Sequence, residues 1–199
     1  MLDKNIHRIE YIDDKGNYNM ILEYANEGTL REYLKTNFTI LQWTDKLRIA
    51  KEIALGLLFL HDKNIIHRDL HSKNVLIHHG QPKITDFGLS KQINEITSSS
   101  NSILIGMPEY IEPQCLIKHG YKRDKRSDVY SFGQILWEIS SGRPPFQAFE
   151  SAFTLVHIFQ GNREEPIEVH TSFDSLSAVL FENITFYNLI KEVKIMSRL

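Results

Sequence analysis

The chain has 199 residues, 42% hydrophobic and 24% charged, which is room for one good core or for one large lobe of a bigger domain. A formal net charge of −2 gives no general reason to expect nucleic acid or an anionic membrane as a partner. The longest apolar run, Ile53 to Leu60, is too short to span a bilayer, the first residues lack a secretory apolar run, and Cys115 is the single cysteine, so a reducing, cytoplasmic setting is expected.

Two short runs rich in Ile, Tyr and Met, residues 6–12 and 18–24, flank Asp13-Asp14-Lys15-Gly16-Asn17 and predict a β-hairpin with a polar turn. Asn26-Glu27-Gly28 breaks the second strand, and Thr29 to Leu34 reads as a short helix. Leu47, Ala50, Ile53, Ala54, Leu57 and Leu58 then recur every three or four residues, the apolar stripe of a core-facing helix, with Thr44 as its N-cap. Val75 to Ile77 and Lys83 to Thr85 are two further short strands across the turn His78-His79-Gly80-Gln81-Pro82. Residues 89–107 are polar, with Thr97-Ser98-Ser99-Ser100-Asn101-Ser102 at their centre, and predict a flexible loop.

A second strong helix pattern runs from Ser127 to Ser140 and stops before Gly142 and Pro144-Pro145. Residues 149–160 carry a weaker helical pattern. From residue 174 a different segment begins. Val179, Glu182, Phe186, Leu189, Ile190, Val193 and Met196 line one face of a helix, whereas Ile184-Thr185-Phe186-Tyr187 fits a strand equally well. The chain shows no internal repeat and no interdomain linker.

The most specific stretch is His67-Arg68-Asp69-Leu70-His71-Ser72-Lys73-Asn74, followed twelve residues after the Asn by Asp86-Phe87-Gly88. Seven specified residues in this order arise by chance on the order of 10⁻⁹ per starting position at equal residue usage. A carboxylate such as Asp69 can orient a hydroxyl and accept its proton. The side-chain oxygens of Asn74 and Asp86 suit a hard cation such as Mg²⁺. Gly88 would relieve the steric limits on the turn that aims Asp86.

These residues match the catalytic loop and metal-binding turn of eukaryotic-type protein kinases, and the resemblance extends to about residue 172. It implies an α+β, mainly helical fold: a large C-terminal lobe over residues 26–173 and a small-lobe hairpin with the hinge over residues 1–25, leaving 174–199 divergent. It implies transfer of the ATP γ-phosphate to a protein hydroxyl, with Asp69 as base and Asn74 and Asp86 as Mg²⁺ ligands. His71 stands where many serine/threonine kinases place Lys, and the cation is Lys73, able to neutralise phosphate charge. This mixed loop resembles the tyrosine-kinase-like branch, whose members mostly phosphorylate Ser or Thr.

By the same resemblance Met20-Ile21-Leu22-Glu23-Tyr24-Ala25 is the fifth strand and hinge. Leu22 would guard the adenine pocket, backbone groups of Glu23 and Ala25 would pair with the adenine edge, and Leu76 would form its floor. An ordinary buried strand explains Ile21 and Leu22 equally well. His67 and Phe87 would stack within an internal spine, and Asp128 would accept hydrogen bonds from the catalytic-loop backbone. Arg68 would pair with a phosphate that an activating kinase adds among Thr97, Ser98, Ser99, Ser100 and Ser102, or that loop is simply a serine-rich connection.

Three departures qualify the match. No Gly-x-Gly-x-x-Gly and no Val-Ala-Ile-Lys occur among the 199 residues, so the pattern opens at the family's fourth strand. Gln114 stands where the family has a Glu that ion-pairs with a C-terminal Arg. The C-terminal Cys-Trp…Arg-Pro region is unmatched, Trp43 and Trp137 being the only tryptophans. The expected partners are ATP and a protein substrate, with no nucleic acid and no membrane segment. Two functions stand open: a protein kinase impaired as this isolated chain, or a catalytically inactive, pseudokinase-like binding or scaffold module.

Overall fold

The computed structural model describes residues 8–12, 18–22, 24–93, 106–118, 120–149 and 151–165. Its elements follow in chain order as strands β1 (Arg8–Ile12) and β2 (Tyr18–Leu22), helices α1 (Leu30–Asn37) and α2 (Trp43–Asp62), and strands β3 (Ile65–Ile66), β4 (Val75–His78), β5 (Gln81–Ile84) and β6 (Lys91–Gln92). Helices α3 (Gln114–Ile117), α4 (Lys125–Ser141) and α5 (Ser151–Phe159) complete it. Among the described residues the strands form three two-stranded antiparallel sheets, β1–β2, β3–β6 and β4–β5. The mainly helical α+β architecture expected from the sequence is the one observed.

The first hairpin pairs Arg8 with Leu22 and Ile12 with Tyr18. Helix α1 runs three residues beyond the predicted short helix, to Asn37, and starts on a capping box. Thr29 Oγ1 accepts from the Glu32 amide at 3.3 Å, and the Thr29 amide donates to the Glu32 carboxylate at 2.9 Å. Helix α2 begins at Trp43, so Thr44 lies inside it and is not its cap. The reason is Asp45, whose carboxylate reaches back to the Gln42 amide at 3.1 Å and fixes the start of the helix before Thr44.

The core lies between α2, α4 and the β4–β5 hairpin. Ala50, Ile53, Ala54 and Leu57 of the predicted stripe, together with Ile49, are buried with Phe132, Ile135 and Ile139 of α4 and Val75, Ile77 and Ile84 of the hairpin, whereas Leu47 and Leu58 of the stripe are half-buried. Each of the Val, Leu, Ile and Phe side chains among them stabilises by roughly 1.5–3 kcal/mol relative to exposure. The hairpin turn is tighter than the sequence suggested. His79 and Gly80 both have positive φ, 49° and 69°, the geometry of a two-residue turn whose twist matches antiparallel strands. The chain after the hinge also packs on this hairpin. The Ile77 amide donates to the Gly28 carbonyl at 2.8 Å and the Glu27 amide donates to the Ile77 carbonyl at 3.2 Å.

Helix α4 is capped by Asp124, which accepts from the Arg126 amide at 2.8 Å, and it ends at Gly142 in the left-handed conformation. Only glycine fits there for a second reason: a Cβ would stand 2.5 Å from Cγ of Phe38. The Phe38 ring also receives the Lys46 ammonium at 3.5 Å from its centroid, which locks the α1–α2 corner against the end of α4. Among the described residues no helix is long and apolar enough to cross a membrane.

Candidate functional site

Residues His67 to Asn74 sit between β3 and β4, and Asp128 of α4 organises their approach. Asp128 is fully buried. Its Oδ2 accepts from the His67 amide at 2.9 Å and its Oδ1 from the Arg68 amide at 2.8 Å. Nε2 of His61 lies 2.9 Å from Oδ2 and donates to it in the tautomer that a carboxylate acceptor demands. The expected structural role of Asp128 is therefore what the geometry shows. Arg68 has φ +71°, a strained conformation for a non-glycine residue. Asp128 holds its amide and Nη1 of Arg123 holds its carbonyl at 2.9 Å, so the surrounding structure imposes the strain immediately before Asp69.

Asp69 and Asn74 are brought together. Nδ2 of Asn74 donates to the Asp69 carbonyl at 2.9 Å and to its Oδ2 at 3.3 Å. Both amide protons are thus committed to Asp69, which frees the Asn74 oxygen as a ligand. Nε2 of His71 lies 3.7 Å from Asp69 Oδ1, and burial pushes the imidazole below its ordinary pKa, an effect that the Asp69 charge opposes. Its Nδ1 has no hydrogen-bond partner among the described residues. Lys73 is exposed on the 3₁₀ turn Ser72–Asn74. Gly106, where the chain returns after the polar loop, adopts φ +127° directly beside the Asp69 carboxylate.

Asp86 is linked to Asn74 through its neighbour, since the Thr85 amide donates to the Asn74 carbonyl at 2.9 Å. Asp86 itself is the left-handed residue of the Asp86-Phe87-Gly88 turn, with φ +60°. Gly88 instead provides room: a Cβ there would meet Asp86 Oδ1 at 3.2 Å, and its amide donates to the same oxygen at 3.3 Å. His67 and Phe87 are in contact, ring centroids 5.1 Å apart and tilted by 56°. Leu22 ends β2, Ala25 follows it half-buried, and Leu76 is half-buried on β4, bridged to Thr29. Glu23 and the candidate phosphate acceptors at 97–102 lie outside the described residues.

Among the described residues no three or more His, Cys, Asp or Glu side chains gather to hold a metal by themselves. The donor chemistry fits a hard divalent cation completed by phosphate oxygens and water, bound by the Asn74 oxygen and the exposed Asp86 carboxylate.

Sequence reasoning missed a buried polar network beneath the loop. Arg31 of α1 donates through Nε to Glu138 of α4 and to Ser72 Oγ, each at 3.0 Å, and through Nη2 to the Tyr110 hydroxyl at 2.7 Å. Tyr110 in turn donates to Glu138, and burial and then the Glu138 charge push its phenol far up. Glu112 was also missed. It is buried, and accepts from Ser127 Oγ at 2.7 Å and from the Tyr121 hydroxyl at 2.9 Å. A Glu between Ile111 and Pro113, with hydroxyls downstream, was the signal available.

A helical lobe that holds a base, an amide and a carboxylate in this order defines a phosphoryl-transfer type of site. The model of the protein kinase domain matches residues 3–196, and the chain belongs to that family. A G-type lectin S-receptor-like serine/threonine-protein kinase of Arabidopsis thaliana is 40% identical over 62% of this chain and 15% of its own length. A probable LRR receptor-like serine/threonine-protein kinase of the same plant is 34% identical over 75% of this chain and 17% of its own. The human dual specificity testis-specific protein kinase 2 is 37% identical over 63% of this chain and 22% of its own. The matched part thus spans less than a quarter of each of these relatives.

Proposed function

We propose that this chain supplies the catalytic loop and metal-binding turn of a protein kinase that transfers the γ-phosphate of ATP to serine or threonine hydroxyls of protein substrates. The carrying observation is the clamp of Asn74 on Asp69, 2.9 Å to the carbonyl and 3.3 Å to the carboxylate. In this reading Asp69 orients the acceptor hydroxyl and takes its proton. Asn74 and Asp86 hold Mg²⁺, which when bound with ATP neutralises charge on the transferring phosphoryl group. Lys73 adds a point cation at the same place. Leu22, Glu23, Ala25 and Leu76 take the adenine. The relatives named serine/threonine kinases favour those hydroxyls over tyrosine. Arg68 would receive a phosphate placed on the 97–102 loop by an activating kinase, and the setting would be cytoplasmic.

A thermal shift tests nucleotide binding. Millimolar ATP with Mg²⁺ should raise Tm by several degrees, and Asp86→Asn should remove the metal-dependent part of the rise. No shift at millimolar nucleotide would sink the claim that these 199 residues act as a kinase. A second reading, a binding module without turnover, is favoured by Gln114 standing where the family has a Glu that ion-pairs with a C-terminal Arg. Transfer of labelled phosphate to a mixed protein substrate separates the two: transfer lost in Asp69→Ala supports the kinase, and nucleotide binding without any transfer supports the module.

A further inference from the structure

Helix α5, Ser151–Phe159, contains no Asp, Glu, Lys or Arg. Thr154 and Ile158, 3% and 1% exposed, form its inner face. The opposite face carries Phe153, Val156 and Phe159 at 64%, 53% and 56% exposure, neighbours at three-residue spacing. Phe149 adds to this surface and stacks on His157 with ring centroids 4.5 Å apart. A helix that is apolar all round is normally covered on both sides, and a contiguous exposed apolar patch marks an interaction site.

The chain leaves the described structure close to this helix. Nη1 of Arg163 donates to the Ile158 carbonyl at 3.3 Å, and Nε1 of Trp137 donates to the Glu165 carbonyl at 3.0 Å. Residues 166–199 follow. Within them Phe186, Leu189, Ile190, Val193 and Met196 recur at three- and four-residue spacing, with Lys191, Glu192 and Lys194 between them. The stripe is uncharged, as is the face of α5. Residues 166–185 can reach about 65 Å when extended, so the tether does not limit where the stripe lies. A second copy of the chain fits the patch poorly. Three exposed side chains on one short helix, with Phe149 just before it, fall well below the roughly 20–30 residues a side of a stable dimer, and a tethered segment acts at an effective concentration in the millimolar range.

We propose that residues 186–196 of this same chain dock their apolar stripe on the outer face of α5. The first test is cross-linking in the full 199-residue chain carrying Val156→Cys and Val193→Cys. Under mild oxidation an intramolecular 156–193 disulfide, identified by peptide mapping, should form at least tenfold faster than the corresponding bond in an Ile40→Cys, Val193→Cys control. Equal rates, or disulfide-linked dimers as the main product, would overturn the proposal. The second test uses no added cysteine. Phe153→Asp and Leu189→Asp should each raise trypsin cleavage after Lys191 and Lys194 about tenfold, and the double variant should exceed neither, as expected when both changes release one contact. Phe153 is 64% exposed in the described structure, so its variant should still fold and melt cooperatively, losing no more than the docked contact contributes. A Phe153→Asp chain that folds and is cleaved at the wild-type rate would overturn the proposal as well.

Discussion

Gly106 approaches the carboxylate of Asp69 so closely that a Cβ built on it would stand 2.9 Å from Oδ1. The two residues are joined by geometry and not by a bond: the returning loop has room for a backbone there and for nothing more. Its φ of +127° is also a conformation that side chains rarely adopt. Gly106→Ala should therefore displace the Asp69 carboxylate and, on the proposed reading of Asp69 as the base, turn it out of line with the acceptor hydroxyl while leaving the nucleotide side untouched. In the whole kinase we expect kcat to fall by about 10²-fold, the size of effect that a 1 Å misplacement produces. The KM for ATP should change little. Wild-type kcat in the alanine variant would refute the coupling.

Asp128 accepts from two backbone amides, that of His67 and that of the strained Arg68, and from one buried imidazole. Removing it leaves donors unsatisfied in a dry environment, at about 1–3 kcal/mol for each. Asp128→Ala should lower the urea midpoint with an unchanged slope, by an amount corresponding to roughly 3–5 kcal/mol. Asp128→Asn keeps the shape but turns one oxygen into a donor facing other donors, so it should recover only part of the loss. A variant as stable as wild type would show that the loop is held by other means.

Arg31, Tyr110 and Glu138 form one unit, so their substitutions should not add. Glu138 is 1% exposed, and Arg31→Met would leave its charge buried with the Tyr110 hydroxyl as its remaining named partner. That variant should lose on the order of 3 kcal/mol. Arg31→Met combined with Glu138→Leu removes both charges and should be more stable than Arg31→Met alone, with a coupling energy of about 1–3 kcal/mol in a double-mutant cycle. Additive losses would mean that the pair is merely adjacent.

The features legible in the sequence are those whose neighbours in the chain define them. The register from His67 to Asp86 announces a loop in which Asp69 and Asn74 meet and Thr85, next to Asp86, bonds back to Asn74. The three- and four-residue stripes find α2 and α4, and Asp128 on an apolar helix announces a buried partner. What escaped depends on contacts across long stretches of chain. Arg31 looks like a solvated residue on a short helix, and only its fold neighbour 107 positions away explains its burial. Strands β3 and β6 pair as Ile65 with Gln92 and Ile66 with Lys91, too short for any alternation to show. The left-handed position in the Asp86-Phe87-Gly88 turn was not legible, because glycine is its usual occupant. Here Asp86 takes it, and its own side chain accepts the Gly88 amide.

Buried phenols give the chain a defined alkaline limit. Burial pushes the Tyr130 phenol up to about 12, and it raises Tyr110 and Tyr121 as well, with the Glu138 and Glu112 charges adding to the two respectively. Below about pH 10 these groups are protonated in both folded and unfolded chains and contribute nothing to the pH dependence. As pH rises from 10 toward 12 the unfolded chain loses its phenolic protons while the folded chain keeps them, so stability falls across that window. For Tyr130 the loss amounts to roughly 2–3 kcal/mol at its upper end. Absorbance at 295 nm and far-UV circular dichroism followed together should show part of the eight tyrosines titrating early and the rest only as the helices melt. Tyr130→Phe should move that melting to higher pH, because it removes the proton whose release favours unfolding. If all eight titrated near pH 10 with the dichroism intact, these phenols would be open to solvent and the packing around α4 would be wrong.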